Sequence, residues 1–226
     1  ASFVGIVGIL FVVPFILISP LAGFLADRFK KRNVIVSMKA FELAIMIVGG
    51  FALVSQNLVL LCVVLFCMAA QSSLFSPSKY GILPEMLDES EISHGNGQMA
   101  LFTFVAIILG SSIAGKLKDV FSSSLWKVSL ILAAISVVGL MVSLFIRKGV
   151  AAKPQARFNI NGFKDSFRAL GAIKKDRPLF LALCGVAYFW FLGAVFQMNI
   201  LLYAKNVLLV SDSQASLLLA IVSLGI

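Results

Sequence analysis

Long apolar runs separated by short polar connections, most of them basic, make up almost the whole chain. The runs cover residues 3–26, 34–54, 58–75, 98–115, 128–146 and 179–203, and a seventh starts near Ala215. A helix rises 1.5 Å per residue, so about 20 residues cross the ~30 Å of a bilayer's hydrocarbon. None of the runs alternates polar with apolar positions, and backbone in lipid must satisfy its own hydrogen bonds, so they are helices rather than barrel strands. The pattern predicts an all-α membrane protein.

Composition excludes a soluble domain. The chain is 60% hydrophobic and 13% charged, with a mean hydropathy of +1.03, and no soluble protein of 226 residues covers that much apolar surface. A net charge of +9 would suit nucleic acid, but the cations cluster between apolar runs and face an anionic leaflet instead. The densest cluster is the connection at 23–32, with Arg28, Lys30, Lys31 and Arg32. Cations hold such a connection on the cytoplasmic side. Alternating sides from there places 28–33, 76–97 and 147–178 inside. Those three connections hold fourteen of the nineteen Lys and Arg residues, and four lie outside. Partners are therefore membrane lipids and not nucleic acid.

Cys62, Cys67 and Cys184 sit within apolar runs without metal-ligand spacing, and the sole histidine, His94, lies in a polar connection. The expectation is packing cysteines, no metal, no cofactor and no enzyme in this segment, since nothing unites a nucleophile, a base and an orienting group. No signal peptide is visible, and both ends fall inside apolar runs, so the chain reads as a piece of a longer protein.

Three features bear on mechanism. Lys39 and Glu42 are three apart on the second run, close enough to pair, and charges inside a span call for a partner, a cavity or a route to the interface. Ala106, Gly110 and Ala114 form a ladder of small residues at four-residue spacing, suited to close helix packing. Between 147 and 178 the chain turns basic, and Ile160, Phe163, Phe167, Leu170 and Ile173 recur every three or four residues, which predicts an amphipathic helix on the inner leaflet. The segments at 21–29 and 113–121 also share Ala, Gly, Leu, Asp and Phe at matched positions, on opposite faces of the expected topology, as inverted repeats of three helices require.

The connection carrying Gly23, Asp27, Arg28, Lys30, Lys31 and Arg32 resembles the signature loop between the second and third helices of the major facilitator superfamily. Gly23 is expected to let two backbones approach, and Asp27 to cap the start of the next helix and meet a cation or a positive helix end. A narrower resemblance lies in Ser76, Pro77, Lys79, Tyr80, Gly81, Ile82 and Leu83, followed by Asn96-Gly97 and the run Ala106 to Gly110. These residues are similar to the bacterial lysophospholipid transporter family, and Pro84-Glu85 with Tyr188-Phe-Trp190 looks most like the form fused to an acyltransferase. Ser111 and Ser112 stand where the superfamily often has a Gly-Pro-rich motif. Gln197 stands where some relatives have an arginine.

The resemblance implies a partial facilitator bundle, helices two to eight of twelve. The expected domains are an N-terminal transmembrane bundle at 1–146, a cytoplasmic linker at 147–178 and the start of a C-terminal bundle at 179–226. It implies transport of lysophospholipid, chiefly lysophosphatidylethanolamine, from the outer to the inner leaflet of the bacterial inner membrane, for reacylation by an acyltransferase domain or partner. Lys79 would hold the phosphate, with Lys39, Glu42, Tyr80, Asn96, Gln197 and Asn199 as further binding candidates, and Gly23, Asp27, Arg28, Lys31 and Arg32 as a cytoplasmic gate. The alternatives are a carrier of a soluble drug or metabolite, and a membrane anchor for a fused acyltransferase.

Overall fold

The computed structural model describes residues 2–147, 149, 154–155, 171 and 173–223. Its helices are α1 (Ser2–Arg28), α2 (Lys31–Val54), α3 (Leu58–Gly81), the single turn α4 (Leu83–Met86), α5 (Ile92–Val120), α6 (Leu125–Leu144), α7 (Arg177–Asn206) and α8 (Asp212–Ser223). Among the described residues there is no strand, and six helical stretches are long and apolar enough to cross a membrane. The proposed amphipathic helix at 160–173 falls almost wholly outside the described residues.

Local chemistry explains several boundaries. Asn57 opens α3 by accepting from the Leu60 amide at 3.0 Å, and Asp176 opens α7 by accepting from the Leu179 amide at 3.2 Å. Both satisfy an amide that a helix start leaves without a partner. After α2 the chain reverses through Gln56 at φ 52. Two boundaries differ from the sequence expectation. The third apolar run was expected to end at Phe75, yet α3 continues through Pro77 to Gly81; proline removes one donor and bends a helix without having to end it. Lys79 thus lies in the last turn of a helix. The connection at 23–32 also shrinks to Phe29 and Lys30, because α1 runs to Arg28 and α2 begins at Lys31.

Contacts divide the chain into two units, Ala1–Asn96 with Ser124–Gly162, and Gly97–Ser123 with Phe163–Ile226. This grouping takes most of α5 together with α7 and α8, whereas the expected domains followed chain order. In the first unit α2 is central, packing on both α3 and α6, while α3 also packs on α1. In the second, α7 packs on α8.

Small residues make those contacts close. Ala22, Ala52 and Ala69 are buried, and adjacent glycines of α2 serve two different neighbours. A Cβ on Gly49 would lie 3.1 Å from Val64 Cγ1 of α3, and one on Gly50 would lie 2.8 Å from Ser129 Cβ of α6. Ser129 Oγ donates across that seam to the Gly50 carbonyl at 3.2 Å. In lipid, association of helices rests on such packing and hydrogen bonds, with no hydrophobic drive between them. Gly50→Ala is therefore expected to destabilise the protein by about 1–3 kcal/mol through overpacking, read as a lower melting temperature in detergent. Gly23→Ala, which meets nothing within 4 Å, should be close to neutral, and equal melting of the two variants would refute the seam.

Candidate functional site

A polar track crosses the apolar interior of the first unit where α2, α3 and α6 meet. Lys39 and Glu42 share one face of α2, and the Lys39 ammonium donates to Glu42 Oε2 at 2.8 Å. Gln71 of α3, 2% exposed, donates from Nε2 to the same carboxylate oxygen at 3.3 Å and to the Met38 carbonyl at 3.1 Å. Both hydrogens of one amide thus tie α3 to α2. Lys39 Nζ also lies 5.3 Å from the Phe75 ring centroid, and a Cβ on Gly139 of α6 would stand 3.7 Å from it. An unpaired charge at mid-bilayer costs about 2.5–3.5 kcal/mol or more; here the carboxylate, the amide and the ring offset that cost.

Lys79 follows Phe75 by one helical turn, so it continues the same face of α3. Its ammonium is 5.3 Å from the Tyr80 ring centroid. Lys79 is half-buried and Tyr80 exposed. Beside this end of α3, Ser73, Ser76 and Pro77 line a cavity of about 220 Å³ with Phe15, Ser19 and Ala22 of α1.

The basic end of the unit binds its own elements together. Lys31 pairs with Glu85 of α4. Arg32 donates from Nε to the Ile146 carbonyl at 2.7 Å and from Nη2 to the Leu144 carbonyl at 2.8 Å, closing the C-terminal end of α6, where carbonyls lack helical partners. Arg28 lies 5.6 Å from both the Phe24 and Phe29 rings. The ends expected on the cytoplasmic side therefore do meet. Two expectations for this connection are corrected. A Cβ on Gly23 would meet nothing within 4 Å, so among the described residues no backbone approaches it. Asp27 belongs to α1, and the N-cap position of α2 is Lys30, whose side chain makes no capping bond.

The remaining candidates are dispersed. Asn96 is exposed on α5, and Ala106, Gly110 and Ala114 are exposed on the same helix, with open space at Gly110; the ladder is not covered by a helix among the described residues. Gln197 and Asn199 are exposed on α7, where Asn199 donates to the Val195 carbonyl of its own helix at 2.8 Å. In the second unit Asp119 at the end of α5 accepts from the Ser213 amide at 3.0 Å and from the Ser213 hydroxyl, capping the start of α8.

The family model described as Major Facilitator Superfamily matches residues 1–226. The chain belongs to the Major Facilitator Superfamily. Among curated relatives, Lysophospholipid transporter LplT of Photorhabdus laumondii is 29% identical over 226 residues, covering 98% of this chain and 54% of that protein. Lysophospholipid transporter LplT of Yersinia pestis is 29% identical over 221 residues, covering 96% of this chain and 52% of its own. The chain spans about half the length of the curated relatives it matches. No solved structure matches it significantly.

As a superfamily member with six helices long and apolar enough to cross a membrane among its described residues, this is a multi-pass membrane protein. Two residues of the first unit carry no local signal for their partners. Gln71 sits between Ala70 and Ser72, and the sequence does not tie it to Glu42. Nothing in the sequence links Glu85 to Lys31, 54 positions away.

Proposed function

We propose that the protein to which this chain belongs moves lysophospholipids, of the lysophosphatidylethanolamine type, from the outer to the inner leaflet of a bacterial inner membrane for reacylation. The observation that carries this is the placement of Lys79: a half-buried cation in the last turn of a membrane-length helix whose Ser73, Ser76 and Pro77 line a cavity with Phe15, Ser19 and Ala22 of α1. A lysophospholipid joins a phosphate to a single acyl chain, and that combination needs a cation and hydrogen-bond donors at headgroup depth next to an apolar face. The names of the curated relatives support the same reading.

In this proposal Lys79 and Tyr80 receive the headgroup, Lys39 and Glu42 lie deeper on the same path, and Asn96, Gln197 and Asn199 complete the polar lining as two bundles, 1–146 and 179–226, alternate about the linker 147–178. The small ladder Ala106, Gly110 and Ala114 serves helix packing. Gly23, Asp27, Arg28, Lys31 and Arg32 gate the cytoplasmic side, and an acyltransferase domain or partner consumes the product.

The test reconstitutes the full-length protein in proteoliposomes with labelled lysophosphatidylethanolamine, the corresponding diacyl lipid and a panel of soluble solutes. Selective inward movement of the single-chain lipid is expected. Movement of soluble solutes without lipid would establish a conventional solute carrier, and no movement at all would leave a membrane anchor.

A further inference from the structure

We propose that Glu42 sets the headgroup charge the transporter accepts, acting through Lys39 as a counter-ion that favours phosphodiester over phosphomonoester lysolipids. This inference rests on the lysophospholipid reading of Lys79. Three ionisable groups make up the track: Lys39, Glu42 and Lys79. Glu42 is bonded to Lys39 at 2.8 Å and fixed from the opposite helix by Gln71 at 3.3 Å. Lys39 also meets two neutral groups, the Phe75 ring at 5.3 Å and Gly139 of α6. Phe75 and Lys79 are neighbours one turn apart on α3, so the Lys39–Glu42 pair borders the field that a phosphate at Lys79 would meet.

With Glu42 ionised, the three groups carry one net positive charge. A phosphodiester headgroup brings one negative charge to match it, whereas a phosphomonoester brings about −1.5 to −2 near neutral pH. Without Glu42 the same track would carry two positive charges. It would then suit the monoester, since in a partly desolvated site the field of a nearby cation is poorly screened. Glu42 is thus a positioning residue: it holds Lys39 and cancels its charge without touching the lipid. Gln71 keeps the carboxylate on the Lys39 side, so the cancellation is local.

The experiment compares uptake of lysophosphatidylethanolamine and lysophosphatidic acid by the full-length protein in proteoliposomes. An added unit charge ~10 Å from the phosphate, at an effective dielectric of about 20, shifts preference roughly tenfold. Glu42→Gln is therefore expected to raise the monoester-to-diester ratio about tenfold. Lys39→Met combined with Glu42→Gln should return it to the wild-type value, as should Glu42→Asp alone. Lys39→Met by itself should move the ratio the other way, which keeps the test open if Glu42→Gln folds poorly. Equal loss of both lipids in Glu42→Gln, with the ratio unchanged, would overturn the inference and leave Glu42 a structural ion pair. Lys79→Ala separates the two levels: if it leaves both lipids untouched, the headgroup reading itself has failed, whereas loss of both lipids with an unchanged Glu42→Gln ratio refutes this inference alone.

Discussion

Lys79→Ala is expected to slow inward movement of labelled lysophosphatidylethanolamine by about two orders of magnitude, while Lys79→Arg keeps a measurable part of it. The reason is geometric as well as electrostatic. Lys79 ends α3, half-buried, with its ammonium against the Tyr80 ring at 5.3 Å, so its stem is already ordered and its head lies at the edge of the apolar region. A charge-assisted hydrogen bond to phosphate is worth about 1.5–3 kcal/mol net, and leaving the phosphate's burial uncompensated costs more. Arginine keeps the charge but presents a wider planar fork. The assay is protection of the labelled lipid from an external quencher in proteoliposomes of the full-length protein, and rates equal to wild type would remove Lys79 from the headgroup site.

Arg32→Ala is expected to lower stability by about 3 kcal/mol, a larger effect than any single deletion on the exposed surface. The guanidinium donates to two carbonyls at the end of α6, that of its last residue, Leu144, and that of Ile146 just beyond it. Each hydrogen bond from a charged donor contributes about 1.5–3 kcal/mol when its partner is otherwise unsatisfied, and solvent exposure of the Nη2 bond reduces the total. Arg32→Lys should recover only part, because a single ammonium does not reproduce the two-pronged geometry. Thermal unfolding in detergent reports this directly. A variant as stable as wild type but unable to transport would leave Arg32 its gating role and refute its hold on α6.

These two residues show how differently the sequence spoke for its parts. Lys79 was visible because Ser76, Pro77, Tyr80 and Gly81 surround it in a pattern similar to a known family. Arg32 was visible only as one more cation in a basic connection. Its bonds reach 112 and 114 positions along the chain, and no local pattern encodes a partner that distant. The same holds for Gly49 and Gly50, which read as two ordinary small residues in an apolar run until α3 and α6 were found on either side of them. Gly23 shows the converse: the motif gave it a packing role, and the fold leaves open space beside it.

The sequence alone determined the number and approximate limits of the spans and their helical nature. These follow from a local quantity, the length of an apolar run against bilayer thickness. It also paired Lys39 with Glu42, because helical geometry fixes neighbours three residues apart. Only the tertiary structure decided that Gln71 joins that pair from 29 positions away, that Ser129 meets Gly50, that Lys31 pairs with Glu85 of α4 and that Arg32 closes the end of α6. Lipid-facing and helix-facing surfaces are equally apolar in such a protein, so hydrophobic pattern does not say which face meets which helix; that choice is made by close packing and a few buried polar bonds.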